Sequence, residues 1–175
     1  LELGSDQSGF VSSNLFSLAQ SKFEPCRVPC GIYNHEGELV GFTMYNDSPL
    51  NDGTYRISRM MIDRSYQGRG YARKAALEII ERLRQVENCR EIILDYAPEN
   101  LVAAKLWGSL GFEECGNEGT NILAKLKFQL NFILAKSSGV SIPIISSFIS
   151  ATCIVKWCES HLKFSRLSAF SSIDF

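Results

Sequence analysis

The stretch Ile62-Asp63-Arg64-Ser65-Tyr66-Gln67-Gly68-Arg69-Gly70-Tyr71-Ala72 decides the reading of this chain. Before it, Tyr55 to Ile62 reads as a strand. After it, the apolar positions Ala72, Ala76, Ile79, Ile80, Leu83 and Val86 form the stripe of an amphipathic helix, which is expected to begin at Gly68. Arg73, Lys74, Glu78, Glu81 and Arg84 lie mainly off the stripe. A strand thus runs through a short loop straight into a helix. The first turn of a helix carries N–H groups without internal partners, and the aligned peptide dipoles make that end positive. Such an end is suited to a pyrophosphate. Gly68 and Gly70 take side chains out of the way, Ala72 keeps the next position small, and Arg69 and Arg73 can add charge. The pattern lacks the third glycine of a dinucleotide fingerprint and the GK[ST] of a P-loop. By itself, a GxG before a helix fits an ordinary strand-to-helix turn equally well.

The other elements follow outward from this loop. Phe10 to Phe23 carries Val11, Leu15, Leu18 and Ala19 at helical spacing and ends at Glu24-Pro25. Residues 27–34 and 39–45 flank His35-Glu36-Gly37-Glu38 and read as a hairpin. Asn46 to Gly53 is rich in turn residues. Glu91 to Tyr96 has an Ile92-Ile93-Leu94 centre suited to burial on both faces. A second helix opens at Pro98-Glu99-Asn100 and stops at Gly111, and two short strands, 112–115 and 121–128, follow. The order predicts an α/β (α+β) fold, one mixed sheet with helices on both faces.

Composition narrows the partners. The formal net charge is -1, which gives no basic footprint for nucleic acid. The six cysteines (Cys26, Cys30, Cys89, Cys115, Cys153, Cys158) form no CxxC pair, and His35 and His161 lie far from any zinc spacing. They read as reduced, mostly buried thiols of a cytoplasmic protein, and no metal is expected. The sequence begins at Leu1 and shows no signal-peptide pattern there. Three regions are expected: a flexible start over 1–9, one domain over 10–128, and an unassigned Ser/Ile/Phe-rich extension over 129–175. An uncharged run in that extension, SSGVSIPIISSFISATCIV, is just long enough to raise the question of a membrane span, but its serines and Pro143 argue against one. A packed or non-native extension is the preferred reading.

Two motifs carry a resemblance. Gln67-Gly68-Arg69-Gly70-Tyr71-Ala72 fits the Q-x-x-G-x-[GA] loop of the GNAT acetyltransferases, and Asn100-Leu101-Val102-Ala103-Ala104-Lys105-Leu106-Trp107-Gly108-Ser109-Leu110-Gly111-Phe112 is similar to their N-x-x-A-x-x-L-Y-x-x-x-G-F signature. Upstream segments, among them Asn14–Gln20, Pro29–Tyr33, Leu39–Tyr45 and Arg59–Asp63, resemble the bacterial-type spermine/spermidine acetyltransferases. The likeness spans about residues 10–128. It implies a mostly antiparallel sheet from which the family's first strand and helix are missing.

The resemblance also implies an activity: transfer of acetyl from acetyl-CoA to a primary amine, a polyamine such as spermidine or spermine, directly through a tetrahedral intermediate. A protein N-terminus or another small amine is the alternative acceptor, and a non-catalytic acetyl-CoA-binding module is the alternative function. Family members are often dimers, so a homodimer is an expectation.

The same resemblance places residues. The backbone of Met60, Met61 and Ile62 meets the pantetheine arm, Gln67 to Arg73 (Gln67, Gly68, Arg69, Gly70, Tyr71, Ala72, Arg73) holds the pyrophosphate, and Asn100 lies near the pantetheine. Asp95, at the end of the central strand, is the candidate base or amine ligand. Asp47 and Asp52 are candidate ligands for a polycation, although aspartates also favour plain turns. Trp107 stands where the signature has Tyr, the general acid for the leaving thiolate. An indole N–H donates a hydrogen bond but cannot deliver a proton. Tyr96 and Tyr66 are the nearby substitutes, and Cys115 reads as core.

Overall fold

The computed structural model describes residues 1–4, 9–10, 12–128 and 153–157, the last as a backbone strand. Its elements are α1 (Asn14–Phe23), β1 (Arg27–Asn34), β2 (Leu39–Asn46), β3 (Thr54–Ile62), a 3-10 turn (Arg64–Tyr66), α2 (Tyr71–Arg84), β4 (Glu91–Tyr96), α3 (Leu101–Ser109), β5 (Glu113–Glu118), β6 (Asn121–Lys127) and β7 (Cys153–Trp157). The strands form one sheet in the order β5-β6-β4-β3-β2-β1-β7. Every neighbouring pair is antiparallel except β3 and β4. The mixed, mostly antiparallel sheet with helices on both faces is therefore the observed architecture.

The main core lies on the α2 face. Ala75, Ala76, Ile79, Ile80 and Leu83 of α2 pack on Cys30, Ile32, Tyr55, Ile57, Ile92 and Leu94. Burial of this many apolar side chains is the main stabilising term of the fold. On the other face, Phe42, Met44 and Met61 form a smaller cluster with Leu3. The predicted stripe of α2 holds, with Ala72 and Val86 at its margins.

Several local expectations are corrected. α2 begins at Tyr71 rather than Gly68, because Gly68 and Gly70 adopt φ of 74° and 81°, in the left-handed region outside any right-handed helix. α1 begins at Asn14, where the Ser13 Oγ accepts the Phe16 N–H at 3.2 Å. Its predicted apolar stripe does not face the sheet. Ser17 and Ser21 are buried against β1, while Leu15 and Leu18 are exposed. Their small side chains let the helix approach closely. Val11 lies outside the described residues. In β4 the burial alternates, with Ile93 only half-buried. Cys115 is exposed on the edge strand β5, not core, while Cys30 and Cys89 are buried and Cys26 is half-buried.

Part of the expected extension joins the sheet. β7 pairs antiparallel with β1, from Cys30 opposite Trp157 to Asn34 opposite Cys153. The apolar run before it falls mostly outside the described residues. Among those that are described, no helix is long and apolar enough to cross a membrane.

Candidate active site

The site originates where β3 and β4 part. They are paired over only three positions, from Thr54 opposite Glu91 to Arg56 opposite Ile93. A bulge follows immediately. Met44 of β2 faces Arg59 and Tyr45 faces Ile57, so Ser58 is the extra residue. The bulge shifts the phase of β3. Tyr55 and Ile57 face the main core before it, and Met60 and Ile62 do so after it, while Met61 joins the opposite cluster. Bulges also increase local twist, which turns β3 away from β4. Among the described residues, no strand pairs with the edge of β3 that faces β4 from Ile57 to Ile62.

The opening is a cleft of about 380 Å³, lined among others by Ser58, Arg59, Met60, Asp95, Asn100 and Trp107. Phe10 and Asn121 also border it. An extended ligand can thus lie along Met60 to Ile62 as a further strand would. Met60 lines the cleft, Met61 packs into the opposite cluster, and Ile62 is buried in the main core.

The glycine loop stands at the end of β3. Asp63 caps the 3-10 turn by accepting the Ser65 N–H at 3.0 Å and also accepts the Glu2 N–H at 2.8 Å. Gln67 does not stand free: its Nε2 donates to the Ile62 carbonyl at 3.0 Å, which ties the loop to the strand. The first intrahelical donor of α2 is Lys74, to Gly70 O at 3.2 Å, so the preceding N–H groups of Tyr71, Ala72 and Arg73 have no intrahelical partner. No side chain caps the helix. A Cβ on Gly68 or Gly70 would meet nothing within 4 Å, so the space over the helix end is open. Donors, dipole and open space fit a pyrophosphate such as that of acetyl-CoA. Arg69 reaches back to the Ser65 carbonyl at 3.0 Å and stacks on Tyr66, and Arg73 donates to Ser109 Oγ at 2.7 Å. Both contacts are exposed and can exchange for phosphate oxygens.

Across the cleft, Asn100 caps α3, its Oδ1 accepting the Ala103 N–H at 3.0 Å and its Nδ2 left to donate. Trp107 is buried and meets Phe112 edge-on at 5.3 Å. The two tyrosines named as substitutes for a proton donor are committed elsewhere. Tyr96 lines the cleft, but its hydroxyl donates to Glu114 Oε1 on β5 at 3.0 Å. Tyr66 donates to Glu38 Oε2 at 3.2 Å.

Asp95 lines the cleft within a charge network. Arg56 Nη2 binds its Oδ1, and Asn121 Nδ2 donates to its Oδ2 at 2.7 Å. The same Arg56 also holds Glu118, at 2.6 Å and 3.2 Å. Burial works against ionisation of Asp95, but the Asn121 hydrogen bond, followed by that of Arg56 and its charge, outweighs it. The carboxyl is thereby held below its usual range. This Asp is therefore an anion at neutral pH, and a weak base.

Asp47 and Asp52 do not border the cleft. Asp52 pairs with Arg90 beyond the N-terminal end of β3, and Asp47 accepts from Ser48 Oγ at 3.0 Å in an exposed turn. Arg56, Arg59, Asn121 and Phe10 are cleft or network residues that the sequence reading missed. Nothing in the chain's pattern marks them, because the bulge decides which way β3 side chains point.

Comparison with known proteins fits this geometry. The profile of the Acetyltransferase (GNAT) family matches residues 6–112. The chain is 29% identical over 133 residues to a probable spermine N(1)-acetyltransferase of Bacillus subtilis subsp. natto, covering 71% of this chain and 87% of that protein. The spermine/spermidine N(1)-acetyltransferase of Bacillus subtilis strain 168 matches to the same extent. Among solved structures, spermidine N-acetyltransferase from Vibrio cholerae in complex with CoA and spermine superposes with a TM-score of 0.54 at 18% identity, over 71% of this chain and 79% of that one. The PaiA N-acetyltransferase of Thermoplasma acidophilum in complex with coenzyme A gives 0.54 at 16%, over 65% and 69%. These two likenesses are of fold. With the profile covering most of the chain and the splayed strands and glycine loop in place, the chain belongs to the acetyltransferase (GNAT) family and is an acyltransferase.

Proposed function

We propose that the protein transfers the acetyl group of acetyl-CoA to a primary amine, with a polyamine such as spermidine or spermine as acceptor. The observation that carries the reading is the splay of β3 from β4, with an open glycine-led helix end on one flank of the cleft and an ionised carboxylate within it. The polyamine acceptor draws support from the names of the Bacillus relatives, and the alternative small-amine and protein N-terminal acceptors share the same cleft.

Each residue has a role in this reading. The N–H groups of Tyr71, Ala72 and Arg73, with Gly68, Arg69 and Gly70, bind the pyrophosphate, and Gln67 fixes the loop on β3. The backbone of Met60 to Ile62 and the amide of Asn100 orient the pantetheine arm. Acetyl-CoA supplies an activated thioester. A backbone N–H of the unpaired β3 edge polarises its carbonyl, as preorganised donors do where charge develops. Asp95 acts as an anionic anchor for an ammonium group of the polyamine other than the one that reacts, not as a strong base. Trp107 walls the cleft and can orient the sulfur through its N–H, with no proton to give. Asp47 and Asp52 are left with a role only toward the distal part of a long polycation.

The test is release of CoA thiol from acetyl-CoA with spermidine, spermine or a diamine as acceptor. Amine-dependent release supports the reading. Acetyl-CoA binding with no release for any of them would refute the polyamine acceptor.

A further inference from the structure

The reaction needs a neutral amine, yet an alkylammonium ion in water gives up its proton only near about pH 10. Asp95 is badly suited to take that proton, since Arg56 and Asn121 already stabilise its anion.

Arg59 also lines the cleft. The bulge at Ser58 turns it to the same side of β3 as Arg56, opposite the main core. Its Nη1 donates to the Ser58 carbonyl at 2.6 Å, and its Nε is buried with no hydrogen-bond partner. Among the described residues, no carboxylate lies within ion-pair distance of it. The charged groups that bear on it are Arg27 of β1, Asp95 of β4, Arg56 of β3 and Glu24 at the end of α1, with Glu118 of β5 beyond Arg56. Each of these carboxylates is held by another arginine: Glu24 by Arg27 at 2.5 Å, Asp95 and Glu118 by Arg56. Burial, and then the like charge of Arg27, make the Arg59 cation less comfortable than a free one. A half-buried cation left unpaired in a cleft calls for an explanation in function.

We propose that Arg59, a guanidinium without a carboxylate partner in the cleft, makes the site hold its acceptor as the neutral, nucleophilic amine rather than as the ammonium ion. A like charge in a partly dehydrated cleft disfavours the ammonium and leaves the neutral amine unpenalised. The protons balance. The ammonium gives one to bulk water before attack. The N–C bond forms as the C–S bond breaks, and a second proton leaves nitrogen and ends on the CoA sulfur. The products are the amide, the CoA thiol and one proton in solution. The inference rests on the acetyl-transfer reading above and adds how the amine is made reactive without a strong base.

Arg59→Gln and Arg59→Lys test it, with spermidine as the probe. In Arg59→Gln the pH below which kcat falls moves up by about one unit, so kcat at pH 7 drops about tenfold. KM for spermidine falls at the same time, because the ammonium is better tolerated. Arg59→Lys keeps the charge and the wild-type profile. Titration calorimetry of spermidine in two buffers of different ionisation enthalpy reads the same effect without turnover: the wild type releases protons on binding, and Arg59→Gln releases fewer. Equal proton release by the two proteins would overturn the proposal. So would a raised KM with an unmoved kcat profile, which would mean that Arg59 binds an oxygen of the acceptor. Absence of amine-dependent turnover in the wild type counts against the acetyl-transfer reading alone, and the titration still decides the proposal.

Discussion

Alanine at Gly70 separates the cost of backbone strain from the cost of a blocked cradle. Gly70 has φ of 81° and Gly37, in the β1–β2 turn, has φ of 84°. A Cβ at either would meet nothing within 4 Å. The two substitutions therefore carry the same strain, about 1–2 kcal/mol for an L-residue in the left-handed region. Each should lower Tm by roughly 2–8 °C per kcal/mol. Only Gly70 stands at the end of α2, where its Cβ would occupy the space a pyrophosphate needs. Loss of one charge-assisted hydrogen bond costs about 1.5–3 kcal/mol, or about 10- to 150-fold in affinity. Differential scanning fluorimetry gives the first quantity and calorimetric titration of acetyl-CoA the second. Gly70→Ala should lose both stability and acetyl-CoA affinity, and Gly37→Ala stability alone. Equal acetyl-CoA affinity in the two variants would refute the assignment of the loop.

Other outcomes follow from the same geometry. Trp107→Tyr removes part of a buried indole packed on Phe112, at a cost of about 1–3 kcal/mol, and adds a group able to deliver a proton. In a steady-state assay its kcat should rise about tenfold or more, whereas Trp107→Phe loses stability with no gain. Asp95→Asn leaves Arg56 half-compensated and should cost about 1–3 kcal/mol at neutral pH. Because the folded carboxyl is held below its usual value, its contribution is full above about pH 4 and is lost as pH falls through the folded value. The Tm gap between wild type and variant, followed by circular dichroism, should therefore close on acidification. Gly41→Ala places a Cβ 2.6 Å from the Met61 carbonyl oxygen, so β2 and β3 must part. Thermal melts should show about 1–3 kcal/mol lost, and KM for acetyl-CoA should rise as Met60 to Ile62 shift.

What the sequence revealed and what it hid divide along physical lines. The stripe of α2, the stop at Gly111 and the glycine loop are local patterns, and their periodicity or backbone demand is written in adjacent residues. The helix start was misplaced by three residues because Gly68 and Gly70 permit a helical pattern while adopting left-handed φ. α1 misled for another reason: tertiary packing chose its small serines over its larger apolar residues. The cleft itself was not legible beyond Met60, Asp95, Tyr96, Asn100 and Trp107. Its other charged wall, Arg59, and its supporting Arg56 and Asn121 come together through a one-residue bulge and through strands distant in the chain. The pairing of β7 with β1 is likewise a long-range choice that no local pattern announces.

The central claim is acetyl transfer to an amine, and the most direct measurement is CoA thiol release coupled to mass analysis of the acceptor. With acetyl-CoA and spermidine, the full chain should release thiol in step with the appearance of a spermidine heavier by one acetyl group, and Gly70→Ala should need more acetyl-CoA for the same rate. Thiol release that is indifferent to the amine, or acetyl-CoA binding with unmodified spermidine, spermine and diamine, would contradict it.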